Sequence, residues 1–317
     1  MGLGTMGKNI ALNIASKRER NVHVYNRSTH KMHKLFHESC KHNCAQYIST
    51  YSNYHDMVHV MKKKHVTATC ILMLPAGEVV DNLIRDMQPS LSRGDTIIDG
   101  STENYKNSRD RGKYLENYGI NYLGVGVSGG SQGALNGPCM MIGGTEQAYE
   151  TNKQFLEDLA GVSNIGYYGT DFGSGHFVKM VHNGIECAMM QTICELYHYY
   201  GKRILLNALN NINPTHGANG LLVQITKDIL NNRDITSGDY RAQVGNTGTW
   251  CVEYAAQNKL SIPMMSASVS SRILSVQDSV KEIDIIPGIP AVNHNFPDKI
   301  ILSTLEFGFA AALHEGK

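Results

Sequence analysis

Short apolar runs alternate with longer stretches of helical period through the first half of the chain. Val22–Tyr25, Ala68–Leu74, Thr96–Asp99 and Tyr122–Val125 read as buried strands. The stretches between them predict helices near residues 8–17, 29–38, 53–63, 78–89 and 104–117. Two further strands are predicted at 139–143 and 164–168, with a helix over 146–160 between them. Strands alternating with helices predict a parallel sheet covered on both faces. After Gly173 the pattern changes. No proline interrupts the run to Tyr200, which predicts a long helix, and the remainder reads as helices with loops at Asn207–Ala218 and Ile285–Asn295. The division falls near residue 170, with an α/β domain over 1–170 and an all-α domain over 171–317.

Gly2-Leu3-Gly4-Thr5-Met6-Gly7 fits G-x-G-x-x-G and opens a helix from Lys8. Glycines there allow a tight turn and close approach of the backbone to a pyrophosphate, with a helix N-terminus aimed at the anion. The expected fold is therefore a Rossmann-type dinucleotide domain. The next strand ends in Asn26-Arg27-Ser28, where NAD-binding folds usually place an acid for the ribose 2′-hydroxyl. An arginine with two hydrogen-bonding neighbours suits a 2′-phosphate instead, which favours NADP over NAD. The fingerprint ordinarily follows a central buried strand, and here only Met1 precedes it. The sheet is accordingly expected to lack its first strand, unless the native start lies upstream.

Composition narrows the picture. The 317 residues are 42% hydrophobic, enough for a sizeable core, and the net charge of +1 gives no electrostatic case for nucleic-acid or membrane binding. Seven scattered cysteines with no secretory segment read as reduced thiols in a cytoplasmic protein. No apolar run reaches membrane-spanning length. Myristoylation at Gly2 fits its motif poorly, because Met6 stands where Ser or Thr is wanted.

Lys179, His182, Asn183 and Glu186 are spaced i, i+3, i+4, i+7 and share one face of the long helix. Val178, Met180, Val181 and Ile185 flank them, so the helix is expected to be largely buried, and a lysine there suits base chemistry. The glycine-rich run Gly124–Ala134 is expected to expose backbone N–H groups to a ligand. Asp99-Gly100-Ser101-Thr102 ends a strand where open α/β sheets bind ligands.

With those residues set out, a resemblance follows. GVGVSGG and GHFVKMVHNGIE look like the decarboxylating 6-phosphogluconate dehydrogenases of the β-hydroxyacid dehydrogenase superfamily, in their short form. LMLPAGEVVD, GDTIIDG and MMIGG extend the similarity, and GNTGTW does so weakly. The resemblance implies NADP-linked oxidative decarboxylation of 6-phosphogluconate to ribulose 5-phosphate and CO2, without a metal. It implies Lys179 as base and Glu186 as acid. Substrate would be held by Thr102, Ser128, Gly129, Gly130, His182, Asn183, Cys187 and Arg272. The cofactor would meet Gly2 through Gly7 (with Leu3, Gly4, Thr5 and Met6), Asn26, Arg27, Ser28, Leu74, Pro75, Ala76 and Thr102. A homodimer or larger homo-oligomer is implied, with His314 reaching a neighbour's site.

Several positions depart from that family. Ser101-Thr102 replaces the usual Asn and is closer to the 3-hydroxyisobutyrate type. Cys187 stands for a phosphate-binding Tyr, and Gly245-Asn246-Thr247 lacks a Lys, while Arg272 matches the phosphate-binding Arg. The alternatives are a dehydrogenase for an unphosphorylated hydroxy acid or a non-catalytic homologue. Among other clusters, His37, Cys40, His42 and Cys44 match no standard zinc spacing. Lys62–His65 reads as a solvated helix end, Cys187 and Cys194 as packing residues, and Trp250 as core.

Overall fold

The structure is a computed structural model describing residues 1–18, 20–64, 67–213, 219–232, 245–276 and 298–315. It divides into two compact units, Met1–Lys179 and Met180–Lys317. The first is a Rossmann-like α/β unit and the second is helical.

The first unit runs α1 (Thr5–Arg18), β1 (Val22–Tyr25), α2 (Thr29–Lys41), β2 (Ile48–Tyr51), α3 (Tyr54–Lys64) and β3 (Thr69–Leu72). It continues with α4 (Glu78–Met87), β4 (Thr96–Asp99), α5 (Tyr105–Glu116), β5 (Asn121–Ser128) and α6 (Gly130–Asn136). Then come β6 (Cys139–Gly144), α7 (Glu146–Ala160), β7 (Ile165–Tyr167) and the start of α8 (Ser174–Asn210). Local chemistry explains several boundaries. The Thr145 hydroxyl caps α7 by accepting from the Ala148 amide, and Gly161 ends it at φ +92°. Asn104 caps α5 in the same way through the Lys106 amide.

β3, β4 and β5 pair in parallel, β6 runs antiparallel to β5, and β7 is parallel to β6. The sheet is thus parallel as expected except where β6 meets β5. Only residues 129–138 join β5 to β6, too short for the crossover that a parallel neighbour requires. β1 pairs only with β2, in a separate two-stranded sheet. Met1 and Gly2 bridge the facing ends of the two sheets. The Met1 amine donates to the Ile71 carbonyl (2.6 Å), the Met73 amide donates to the Met1 carbonyl (2.9 Å), and the Gly2 amide donates to the Tyr25 carbonyl (3.2 Å). Beside them lies an apolar cavity of about 150 Å³ lined by Ile10, Ile14, Val24, Met57, Ile71 and Phe155. No strand fills the place between β1 and β3 among the described residues.

The glycines of β5 serve packing, not the ligand contact expected of them. A Cβ on Gly124 would collide with the Phe172 carbonyl, and one on Gly126 would collide with the Lys179 Cβ. A Cβ on Gly175 would strike the carbonyls of Gly124 and Met141, and one on Gly143 would sit 2.6 Å from the Gly175 amide. The first turns of α8 therefore lie directly on the backbone of β5 and β6. Gly129 and Gly130, at the strand's end, are exposed and keep the open position expected of them.

Two other readings change. Lys62 is not simply solvated, since its ammonium reaches the fully buried Asp95 carboxylate at 3.1 Å. Asp95 also accepts from the Ala68 and Ser92 amides, tying the approaches to β3 and β4 together. Cys44 is buried while His37, Cys40 and His42 are exposed, so that quartet does not face one point.

α8 continues through the boundary into the second unit and bends at Gly201, whose φ of 71° and ψ of 169° are not helical. It resumes to Asn210, so Asn207–Asn210 are helical, not loop; residues 214–218 and the predicted loop Ile285–Asn295 lie outside the described residues. α9 (Leu221–Asn232), α10 (Asn246–Gln257), α11 (Pro263–Leu274) and α12 (Asp298–Glu315) follow. Ile193, Leu196, Leu205, Leu209, Val223 and Leu305 form much of its core. Trp250 is only half-buried and Cys194 is exposed, against their reading as core and packing residues. The Glu315 carboxylate accepts from the Met264 and Met265 amides at 2.8 and 2.9 Å, satisfying the start of α11.

The backbone contact of α8 on β5 yields a first prediction. Gly126→Ala forces Lys179 and the Gly175 carbonyl (2.9 Å from the new Cβ) to retreat. It should destabilise the first unit by about 1–3 kcal/mol in urea unfolding. Wild-type stability in that variant would refute the packing described.

Candidate active site

In the first unit the candidate residues collect at the carboxyl ends of β1, β3, β4 and β5, where open α/β sheets bind ligands. Gly2 turns at φ +84°, and a Cβ there would collide with the Met73 carbonyl. Gly7 packs against the Gly2 carbonyl, whereas nothing lies within 4 Å of a Cβ on Gly4. The loop thus closes tightly at two glycines and leaves open space at the third, directly before α1. Leu3 and Gly7 are buried, Met6 is half-buried, and Gly4 and Thr5 are exposed. These features fit a dinucleotide phosphate at a helix N-terminus.

Asn26 shapes the turn beside it. Its Oδ1 accepts from the Leu3 amide at 2.8 Å and its Nδ2 donates to the Ser28 carbonyl at 3.0 Å. Arg27 is exposed between these two anchored neighbours. Leu74, Pro75 and Ala76 follow β3 and lead into Gly77, at φ +91°, which opens α4. Thr102 is exposed at the end of β4, while Ser101 is buried.

Lys179 is half-buried, and its Nζ donates to Ser128 Oγ at 2.9 Å. The structure thus brings together two residues that the sequence singled out 51 positions apart. Ser128 ends β5, and Gly129 (φ +110°) and Gly130 (φ +58°) follow it.

A buried ionic cluster lies beneath these loops, and sequence reasoning missed it. Arg111, 4% exposed, donates to Asp81 (2.6 Å), Asp99 (3.1 Å) and the Gly77 carbonyl (3.1 Å), and pairs with Glu103 (2.7 Å). Glu103 accepts in turn from the Gly77 amide at 2.8 Å. Asp99 accepts from the Ser101 amide and hydroxyl and from the Tyr122 hydroxyl. Burial opposes ionisation of Asp99, but His176 and Arg111, with these donors, outweigh it and hold the carboxyl below its ordinary range. Burial likewise opposes the Arg111 charge, and the surrounding carboxylates raise its pKa. The available signal was the position of Arg111 on the inward stripe of α5, with Ser108, Gly112 and Leu115.

His176, 1% exposed, sits between the Ser101 carbonyl (3.0 Å from Nε2) and the Ser108 hydroxyl (2.7 Å from Nδ1). A carbonyl only accepts, so Nε2 carries the hydrogen and Nδ1 accepts from Ser108. Burial pushes the imidazole below its ordinary pKa, against the pull of Asp99.

In the second unit, Asn183, Glu186, Cys187 and Met190 of α8 line a cavity of about 310 Å³ with Thr247 of α10 and Arg272 of α11. Asn183 Nδ2 donates to Thr247 Oγ1 at 2.8 Å, and Asn183 Oδ1 is buried without a hydrogen-bond partner among the described residues. Thr247, buried in this way, was noted in the sequence only for the Lys it replaces. His182 Nδ1 lies 3.3 Å from Glu186 Oε2 without hydrogen-bond geometry. Burial raises the Cys187 thiol despite nearby Arg272, so it is a thiol rather than a thiolate at neutral pH. Gly184 lets α10 and α11 approach, since a Cβ there would stand 2.8 Å from Met265 Sδ and 2.9 Å from Cys251 Sγ. His314 is exposed near the end of α12.

Comparison with known proteins agrees with this layout. Residues 1–169 match the NAD binding domain of 6-phosphogluconate dehydrogenase, and residues 175–286 match the 6-phosphogluconate dehydrogenase C-terminal domain. An NAD(+)-dependent decarboxylating 6-phosphogluconate dehydrogenase of Bacillus subtilis strain 168 is 37% identical over 301 residues, covering 89% of this chain and 61% of its own length. The NADP(+)-dependent decarboxylating enzyme of the same strain is 35% identical over 308 residues, covering 91% and 63%. The chain thus spans about three fifths of the length of these relatives. Plasmodium falciparum 6-phosphogluconate dehydrogenase, solved in its apo form and with NADP+ or 6-phosphogluconate, superposes with a TM-score of 0.83 at 30% identity. That match covers 99% of this chain and 72% of that one. A Mycobacterium tuberculosis 3-hydroxyisobutyrate dehydrogenase shares the fold, with a TM-score of 0.64 at 20% identity over 86% of this chain and 90% of that one.

The lowered His176 pKa gives a pH prediction. Below about pH 6.5 the unfolded imidazole takes up a proton that the folded one resists, so protons favour unfolding. Stability should therefore fall as pH drops from about 6.5 toward the folded pKa, by up to about 1.4 kcal/mol per pH unit from this group. In denaturant unfolding at pH 7.0, 6.0 and 5.5, His176→Gln should show a shallower decline than wild type. Parallel declines would contradict a histidine buried neutral.

Proposed function

The chain belongs to the 6-phosphogluconate dehydrogenase family, and from that membership we propose that it oxidatively decarboxylates 6-phosphogluconate to ribulose 5-phosphate and CO2 with reduction of NADP. The observation that carries the reading is the Lys179–Ser128 pair, with Asn183 and Glu186 one and two turns further along the same helix.

The glycine turn before α1 would hold the pyrophosphate, with Leu74–Ala76 and Thr102 flanking the dinucleotide and Arg27 taking the 2′-phosphate. When bound, NADP supplies a hydride acceptor at its nicotinamide ring. Lys179 would take the proton of the C3 hydroxyl as the C3 hydrogen leaves with its electron pair. Ser128, Gly129 and Gly130 hold the carboxylate end. The protonated Lys179 then donates to the C3 ketone oxygen while the C1–C2 bond breaks and CO2 departs, leaving its electrons in an enediol. Glu186 delivers the proton that the reacting carbon of the enediol requires, while Lys179 takes back the enediol hydroxyl proton and the ketone of the product forms. Positioning with acid–base catalysis accounts for these steps.

His182 and Asn183 would bind substrate hydroxyls, and the unpartnered Asn183 Oδ1 is an acceptor suited to one. Arg272 would take the phosphate in the second-unit cavity that it lines with Cys187 and Thr247. We place the protein in the cytoplasm as a homodimer or larger homo-oligomer, with His314 reaching the site of a neighbouring copy. No described helix is long and apolar enough to cross a membrane.

Lys179→Met should lower turnover by at least about 1,000-fold while NADPH binding, followed by fluorescence, stays within about twofold. Turnover near wild type would refute the assignment. Wild-type protein should prefer 6-phosphogluconate over gluconate and 3-hydroxyisobutyrate in kcat/KM, and the reverse order would give the 3-hydroxyisobutyrate type. Separately, Arg27→Asp should lower the NADP to NAD preference by about 10- to 100-fold, corresponding to a lost charge-assisted contact. An unchanged ratio would remove Arg27 from cofactor choice.

A further inference from the structure

The buried cluster beneath the strand ends has two arms. One runs from Arg111 and Glu103 to both backbone groups of Gly77, at the end of the Leu74–Ala76 loop. The other runs from Arg111 through Asp99 to Ser101, and from the Ser101 carbonyl to His176. His176 lies on α8 one turn before Lys179. Every link is a hydrogen bond of 2.5–3.1 Å between groups that are buried or belong to the loop backbone. Removing a guanidinium and two carboxylates from water is expensive, and apolar side chains of similar volume would serve stability as well. What the cluster supplies is geometry.

The imidazole has no route to a reacting atom. It is 1% exposed, and both ring nitrogens are engaged by Ser101 and Ser108. Its surroundings are close as well, since a Cβ on Gly124 would stand 3.2 Å from Nδ1. A ring fixed at both nitrogens, on a helix that lies on glycine backbone, determines the rotation of that helix about its axis. The residue one turn further on is Lys179, whose Nζ must meet Ser128 Oγ.

We propose that His176 is a positioning residue for Lys179: it locks the first turns of α8 to the end of β4 and so sets the lysine amine against Ser128. The proposal rests on the reading of Lys179 as the base. It extends to Ser108, which fixes the ring from α5, and to Arg111, which holds the Asp99–Ser101 turn that His176 grips.

Three variants test it. His176→Phe keeps a ring and loses both hydrogen bonds. His176→Gln offers an amide donor and acceptor in their place, and Ser108→Ala removes the donor to Nδ1 together with the hydroxyl's contacts to Tyr122 and the Asn104 carbonyl. His176→Phe should lower kcat about 10- to 100-fold, with KM for 6-phosphogluconate and Kd for NADPH within about threefold. His176→Gln should recover most of that loss, and Ser108→Ala should lie between Phe and wild type. Competitive labelling of lysine amines, read by mass spectrometry without substrate or cofactor, supplies a readout independent of turnover. Lys179 reactivity relative to the other lysines should change about threefold in His176→Phe and return in His176→Gln. The mild Ser108→Ala variant keeps the test decisive if His176→Phe fails to fold.

Wild-type kcat and Lys179 reactivity in Ser108→Ala, or in a folded His176→Phe, below their melting temperatures, would overturn the proposal. So would a His176→Gln variant as impaired as His176→Phe. If Lys179→Met is inactive while those variants behave as wild type, only this inference falls. If Lys179→Met retains turnover, the reading of Lys179 falls first.

Discussion

The rest of the site depends on one close approach, that of the first turns of α8 onto the bare backbone of β5 and β6. Side chains ordinarily hold a helix and a sheet apart. Here Gly124, Gly126, Gly143 and Gly175 remove them, and the helix lies at backbone contact. At that distance, a lysine at the second turn has its Cβ against the strand and its amine at the strand's end, beside Ser128. Any larger residue at these glycines would push the helix away and the amine with it. The contact also explains why Gly124 and Gly126 stand buried in β5, while Gly129 and Gly130, just beyond its end, are exposed.

Beneath this contact the molecule keeps a buried charge where an ordinary core would be apolar. Arg111 is surrounded by Asp81, Asp99 and Glu103, and its hydrogen bonds reach the Gly77 loop and the Ser101 turn. The loops that would meet cofactor and substrate are thereby held from below by directional bonds instead of by packing alone. Such a network is worth little as stabilisation, but it fixes angles that apolar contacts leave soft. In the second unit the Asn183–Thr247 hydrogen bond does similar work on a smaller scale, orienting one amide whose oxygen is buried.

Much of this was legible in the chain. Helix 146–160 and strand Val22–Tyr25 fall as the pattern predicts, because a Thr–Glu start, a terminal glycine and β-branched residues agree locally. β2 was missed because Ile48–Tyr51 is short, with two of its four residues exposed, so it shows no apolar run. α6 was missed because Gly130–Asn136 has a loop's composition and becomes helical only between β5 and β6. The antiparallel turn between those strands depends on connection length, which apolar periodicity does not report. Lys179 and Ser128 were both singled out, but their meeting at 2.9 Å follows from the glycine contact, which no single segment reveals. Arg111 and His176 look like surface residues in one dimension; their burial arises from elements far apart in sequence.

Under the proposed function, this scaffold would couple oxidation at one carbon to loss of its neighbouring carboxyl group. The direct measurement supplies 6-phosphogluconate labelled with 13C at C1 and NADP, and follows NADPH absorbance and labelled CO2 in the same reaction. The account predicts that both rise together at one CO2 per NADPH. NADPH formed without labelled CO2, or no NADPH from folded protein that binds the cofactor, would contradict it.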